Sequence, residues 1–298
     1  MPDKVVLVTG AAGFIGGKTL HPLLDLGYEV HGVSHKGGVD VPRVQWHSCD
    51  LLNPVETEKL LARVRPSHLL HTAWHTEHGK FWTAPENTMW LEASADLFKK
   101  FTAQGGKRIL GIGSCAEYDW QRKNKALWKE TDLCRPHTPY GRAKLALLEK
   151  LSALDASYAW ARLFLLFGPD EKPERLVPYA IRTALGGETV RCSEGTQIRD
   201  FIDTRICGRA LAQVLDSDVT GVINIGSGET MSVADLVKKI CTLCGYPENI
   251  KLGAVPMNKD DPPFMVPDLS RLHNEVKFAE HQDTSRALSD LISMMRQY

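Results

Sequence analysis

Lys4-Val5-Val6-Leu7-Val8-Thr9-Gly10-Ala11-Ala12-Gly13-Phe14-Ile15-Gly16 decides how the rest of the chain is read. Residues 5–9 are β-type and mostly apolar, glycines stand at 10, 13 and 16, and an amphipathic helical pattern follows. Strand, glycine turn and helix in that order make a site for a pyrophosphate. The glycines permit the tight turn and let backbone N–H groups approach the anion, while the helix N-terminus adds unpaired donors and the positive end of its dipole. The pattern therefore assigns Gly10, Ala12, Gly13, Phe14, Ile15 and Gly16 to a dinucleotide.

Outward from this turn, strand-like runs continue at 28–34, 44–49, 67–72, 108–113 and 157–164, with helix-length segments between most of them. The alternation predicts an α/β fold, a Rossmann-type doubly wound parallel sheet covered by helices on both faces. Apolar residues at Met89, Leu91, Ala93, Leu97, Phe98 and Phe101 suit a helix over 84–104, stopped by Gly105-Gly106, and a second helix is expected over 138–154. After Gly168-Pro169 the texture is less regular, with Pro173, Pro178, Gly186-Gly187 and a Pro-rich stretch over 256–267. The expected division is a dinucleotide-binding domain over 1–168 and a smaller lobe, mainly substrate-binding, over 169–298. Strand signals at 199–202 and 222–225 are candidates to return to the main sheet, so the lobe is interleaved in sequence.

An NAD site usually ends its second strand on Asp or Glu, which grips the adenosine ribose hydroxyls. Here Ser34-His35-Lys36 follows instead, offering a hydroxyl, an imidazole and an ammonium to a ribose phosphate. This favours NADPH, with NAD the lesser choice; the alternative for Lys36 is a solvated loop. Asp50-Leu51, ending the third strand, fits beside the adenine, although Asp50 can equally cap the next helix.

Tyr140 and Lys144 lie four apart at the start of a helix, so both project from one face. An ammonium beside a phenol favours the phenolate and lowers the phenol's pKa from about 10 toward the range useful for acid–base work. Ser114 ends the fifth strand, at the carboxyl edge where open α/β sheets bind ligands, and its hydroxyl can hold a substrate oxygen. Glu117 is a further candidate substrate contact beside that strand end. In the segment 71–82, Trp74, His75 and Trp82 suit a loop facing the substrate, with packing onto the second lobe as the other account. His71, His75 and His78 do not converge by sequence position, so no metal is expected there.

Lys plus Arg and Asp plus Glu balance at 36 each, giving zero formal charge and no field suited to nucleic acid or an anionic membrane. A 43% hydrophobic, 8% aromatic chain of this length is globular, not disordered. No apolar run approaches the ~20 residues of a membrane span, and the N-terminus runs into a strand rather than a secretory leader, so the expected location is cytoplasmic. The seven cysteines are scattered and odd in number, which predicts reduced thiols. Cys241 and Cys244 form a Cys-x-x-Cys without a second ligand pair, so zinc is not expected.

Taken together, the glycine turn, Asp50-Leu51, His71-Thr72-Ala73, Asn87, Ser114 with Tyr118, Tyr140 with Lys144, Arg162 with Phe167-Gly168-Pro169, Arg199-Asp200-Phe201-Ile202, residues 224–228 and residues 268–272 resemble the extended short-chain dehydrogenase/reductase family, in its nucleotide-sugar epimerase, dehydratase and ketoreductase group. The resemblance implies a nicotinamide cofactor passing Ala73, Tyr140 as proton donor or acceptor, Lys144 on the nicotinamide ribose and Ser114 on the reacting oxygen. It also implies Asn87 among the substrate contacts and Arg199 near the sugar-nucleotide phosphates, where a guanidinium can pair bidentately; a surface salt bridge is the alternative for Arg199. A homodimer through the two long helices is a further implication.

The departures narrow the reaction. Cys115-Ala116 stand where family dehydratases carry Asp-Glu, which counts against dehydration; Leu165 replaces a frequent Asn, and Asp203 and Arg205 replace members of a His-Val-Asp run. The expectation is NADPH-dependent reduction of a nucleotide-linked 4-keto-6-deoxy sugar. The alternatives are an NAD-dependent nucleotide-sugar 4-epimerase and a non-catalytic NADP-binding regulator, against which retention of Ser114, Tyr140 and Lys144 argues.

Overall fold

A computed structural model describes residues 4–297 apart from Lys36, Asp40, Lys123 and Lys259. The first half alternates as β1 (Val5–Thr9), α1 (Gly16–Asp25), β2 (Glu29–Ser34), β3 (Val44–Ser48), α2 (Pro54–Val64), β4 (His68–His71), α3 (Glu86–Ala103), β5 (Arg108–Ser114), α4 (Pro139–Ser152) and β6 (Ser157–Leu163). The second half runs β7 (Leu165–Phe167), α5 (Leu176–Leu185), β8 (Val190–Arg191), β9 (Ile198–Asp203), α6 (Thr204–Asp216), β10 (Gly221–Ile225), β11 (Thr230–Ser232), α7 (Val233–Cys244), β12 (Ile250–Lys251), β13 (Phe264–Met265), α8 (Ser270–Asn274) and α9 (Thr284–Met295).

A seven-stranded parallel sheet carries the order β10-β6-β5-β4-β1-β2-β3. Strands so covered read as continuous apolar runs, because neither face meets water. Val6, Val8 and Val30 pack with α1 and α6 on one side, while Leu7, Val33 and Leu69 pack with α2, α3 and α4 on the other. The reversal of strand order beside β1 opens the crevice in which such sheets bind ligands, at the carboxyl ends of the strands.

Of the two late strand signals, β10 returns to the main sheet, pairing with β6, whereas β9 does not. It is the spine of a smaller sheet with β7, β11 and β13. Sheet membership depends on a distant partner, and local β propensity carries no record of that. Leu165 is explained by the same sheet, since it pairs with Phe201 and packs into the lobe's own core. Two cross-links fasten the first loop of the lobe to the larger half: Lys18 Nζ to Asp170 Oδ2 at 2.6 Å, and Lys172 Nζ to the Thr76 carbonyl at 3.1 Å.

Among the described residues no helix is long and apolar enough to cross a membrane, and no group of three His, Cys, Asp or Glu side chains is placed to hold a metal ion. Cys241 and Cys244 are buried free thiols on α7.

Candidate active site

The glycine turn has the shape a pyrophosphate requires. Gly10 has φ +67°, and a Cβ on Gly16 would stand 2.3 Å from the Gly10 carbonyl oxygen, so only glycine lets the turn close onto α1. Ile15, at the helix cap, makes no side-chain cap hydrogen bond, and in the first turn Gly17 N donates to the Gly13 carbonyl and Lys18 N to the Ile15 carbonyl, so the positive end of the helix dipole faces the turn with no side chain across it. Buried Ala73 backs the turn, its backbone N 2.9 Å from where a Gly10 Cβ would lie. The residues present thus fit a dinucleotide.

At the adenosine end the Ser34 hydroxyl donates to the Gly37 carbonyl, His35 is exposed, and Lys36 lies outside the described residues. Asp50 does not cap α2: its carboxylate accepts from Leu52 N at 3.0 Å, and the cap is Asn53, which accepts from Val55 N and Glu56 N. Leu51 is buried beside it.

Tyr140 and Ser114 come together because two elements approach closely. Thr138 caps α4 by accepting from Gly141 N at 3.0 Å, Pro139 opens its first turn, and a Cβ on Gly141 would lie 2.4 Å from the Ala116 carbonyl oxygen. That contact brings the Tyr140 phenol beside Ser114, whose hydroxyl acts on it. The Tyr140 backbone N donates to the Trp82 carbonyl at 3.1 Å, and its ring meets Phe81, Trp82 and Trp74 edge-on at centroid distances of 5.0, 5.6 and 6.4 Å.

The sequence argument for how Tyr140 is tuned needs correction. Burial raises the phenol above its usual range, and the Ser114 hydroxyl and the Arg175 charge offset only part of that. Lys144 is not what faces the hydroxyl. Its Nζ, on a side chain only 3% exposed, donates to the Ile112 carbonyl at 3.0 Å and lies 3.7 Å from the centre of the Trp74 ring, against 5.9 Å from the centre of the Tyr140 ring. Burial lowers the amine to about 7, partly offset by the Glu117 charge. Tyr140 is therefore a protonated phenol at neutral pH.

Glu117 is not a substrate contact. It is 0% exposed and accepts from Ser114 N at 2.8 Å, Trp160 Nε1 at 3.1 and 3.2 Å and Arg162 Nε at 2.7 Å, so every direction around the carboxylate is filled from within. Ser114 in turn accepts from Ala116 N at 3.2 Å, which completes a reciprocal capping box. The Ser-x-x-Glu spacing at 114–117 was the signal for this arrangement.

Asn87 is likewise corrected. At 2% exposed it accepts from Trp74 Nε1 at 2.9 Å and donates to the Phe81 and Ala84 carbonyls, fixing the aromatic loop and leaving nothing for a substrate. Trp74 is turned inward by that bond, and its ring faces Lys144 instead of open space. Trp82 borders the site, packed on Tyr140 and Trp120, while His75 is half-buried on the same loop. His71 is a core residue, between Thr9 Oγ1 at 2.8 Å and Ser94 Oγ at 2.9 Å. Arg199 is 3% exposed. Its Nη1 donates to the Ile198 carbonyl, and Nη2 lies 2.8 Å from Asp261 without the alignment of a hydrogen bond. Its charge is felt at Cys115, next to Ser114, so it is not a surface residue.

A dinucleotide turn, a serine–tyrosine pair at the carboxyl edge of the sheet and a buried lysine one helical turn on define an extended short-chain dehydrogenase/reductase enzyme. Residues 6–226 match the model of the NAD dependent epimerase/dehydratase family, and the chain belongs to that family. It is 28% identical to a dTDP-glucose 4,6-dehydratase of Neisseria gonorrhoeae over 274 residues, covering 80% of this chain and 78% of that one. It is 26% identical to a UDP-glucose 4-epimerase of Bacillus subtilis over 275 residues, covering 78% and 80%. A crystal structure of a Thermus thermophilus UDP-glucose 4-epimerase in complex with NAD superposes with a TM-score of 0.85 at 21% identity, over 98% of this chain and 99% of that one.

Proposed function

We propose that the protein is a nucleotide-sugar oxidoreductase working at C4 of the sugar, with reduction of a 4-keto-6-deoxy sugar nucleotide as its net reaction. The observation that carries this reading is the half-buried Tyr140 phenol set beside Ser114 at the carboxyl edge of the sheet, with Cys115-Ala116 beside it where a dehydratase would need further acid–base groups. When bound, the nicotinamide supplies the hydride. Ser114 then holds the carbonyl oxygen, and Tyr140 donates a proton to the alkoxide as it forms. Arg199, whose charge reaches Cys115 and is paired with Asp261, is the candidate for the diphosphate of the substrate.

For the cofactor, the choice of NADPH over NAD gives way to NAD. A structural neighbour carries NAD, the family description names NAD, and the Ser34 hydroxyl is already engaged with Gly37. NAD removes one argument for a reductase, and the relatives include 4-epimerases, so epimerisation is the second reading: the same groups would remove and return one hydride.

One experiment separates the two. The purified protein is denatured, the released cofactor is identified, and NADH and NADPH oxidation is followed with 4-keto-6-deoxy sugars on dTDP, UDP, CDP and GDP. Turnover of a keto sugar with consumption of reduced cofactor supports the reductase. Stoichiometric bound NAD, with interconversion of C4 epimers and no net oxidation, refutes it.

A further inference from the structure

The Lys144 amine is buried among β4, β5 and α4 with no carboxylate at ion-pair distance among the described residues, an environment that disfavours an ammonium. The groups facing it are few. Glu117 acts on it only through space, His71 is uncharged with its imidazole lowered to about 3 by burial and by the Lys144 charge, and Tyr140 is protonated. What touches it is the Ile112 carbonyl on one side and the face of the Trp74 indole on the other.

That indole is itself anchored. Trp74 Nε1 donates to Asn87 Oδ1, Asn87 Nδ2 donates to the Phe81 carbonyl at 2.8 Å and the Ala84 carbonyl at 3.0 Å, and Trp90 lies alongside at 6.4 Å between ring centres. The ring cannot turn off the amine without breaking a bond to a 2% exposed amide.

We infer that Trp74 is a positioning residue whose π face, with the Ile112 carbonyl, holds Lys144 as a cation in place of the carboxylate that a buried ammonium would otherwise need. A cation over an indole is attracted by the ring quadrupole, and the attraction grows when water is excluded. Lys144 belongs to the machinery only under the function proposed above, but its charge state can be measured without any turnover.

The test is heteronuclear NMR of the full chain labelled with 13C and 15N in lysine, in the absence of substrate, with the Lys144 signal assigned by its loss in Lys144→Met. In Trp74→Leu the titration midpoint of Lys144 is expected to fall by about one pH unit or more, and in Trp74→Phe, which retains a π face, to fall by a smaller amount. Replacing tryptophan by fluorotryptophans of rising fluorine content weakens the quadrupole at nearly constant shape. The midpoint should then fall stepwise in folded protein even if Trp74→Leu fails to fold. A midpoint indifferent to fluorination, or equal shifts for Phe and Leu, overturns the inference. Either result leaves the proposed reaction standing, since that is judged by keto-sugar turnover.

Discussion

That Ser114 and Tyr140 would meet at the carboxyl edge of the sheet was legible, because one ends a strand and the other opens a helix. Tyr140→Phe should leave the fold and dinucleotide affinity nearly unchanged and lower kcat by about 10²–10⁴-fold, the contribution of a positioned general acid; steady-state assay beside cofactor titration checks it. The residues that support them were not legible. Glu117 looked like an open carboxylate because a strand end does not reveal where the next three side chains point, and only the capping turn sends it back into the core. Its role gives a second prediction. Glu117→Gln leaves the Arg162 guanidinium buried without its anion, and should cost about 3–5 kcal/mol in urea unfolding, whereas changing Glu117 and Arg162 together to Met should recover much of that loss. Equal loss in the single and double variants would refute the pairing.

Among the elements, the first βα unit was read almost to the residue, since its glycines are dictated by contacts within the turn itself. Gly16→Ala places a carbon 2.3 Å from a backbone oxygen that cannot move aside. Dinucleotide affinity, followed by tryptophan quenching, should fall at least about tenfold, one order being 1.4 kcal/mol, together with a lower Tm. The helices expected over 84–104 and 138–154 are found as α3 and α4, because caps and stops are local signals. β9 was found as a strand but assigned to the wrong sheet, because its partners β11 and β13 lie far along the chain. Trp74 and Asn87 failed for a related reason: composition marks an aromatic loop, and only tertiary packing decides whether it turns outward to a sugar or inward to a lysine.

For the molecule as a whole, the histidines set an acid limit. Burial lowers His71 to about 3, with the Lys144 charge assisting, and lowers His68 to about 4, with Arg108 assisting. Both imidazoles are neutral in the fold and titrate near their ordinary ~6.5 once the chain unfolds. Below that value the unfolded chain binds more protons, so this contribution to stability is complete above about pH 6.5 and declines as pH falls toward each folded value. Each histidine contributes a slope of up to about 1.4 kcal/mol per pH unit. Urea midpoints at pH 7 and pH 5.5 should therefore correspond to a loss of about 2 kcal/mol. His71→Gln should flatten part of the slope, and an unchanged slope would discount the burial argument.

The backbone passes from β6 to β7 with only Phe164 between them, and runs from β9 straight into α6, which lies against α1 under the main sheet. The halves are sewn together at several seams rather than joined by one hinge. Grafting the lobe of a cousin enzyme onto this chain would cut through those seams, so exchange between relatives is better made one side chain at a time than by whole segments.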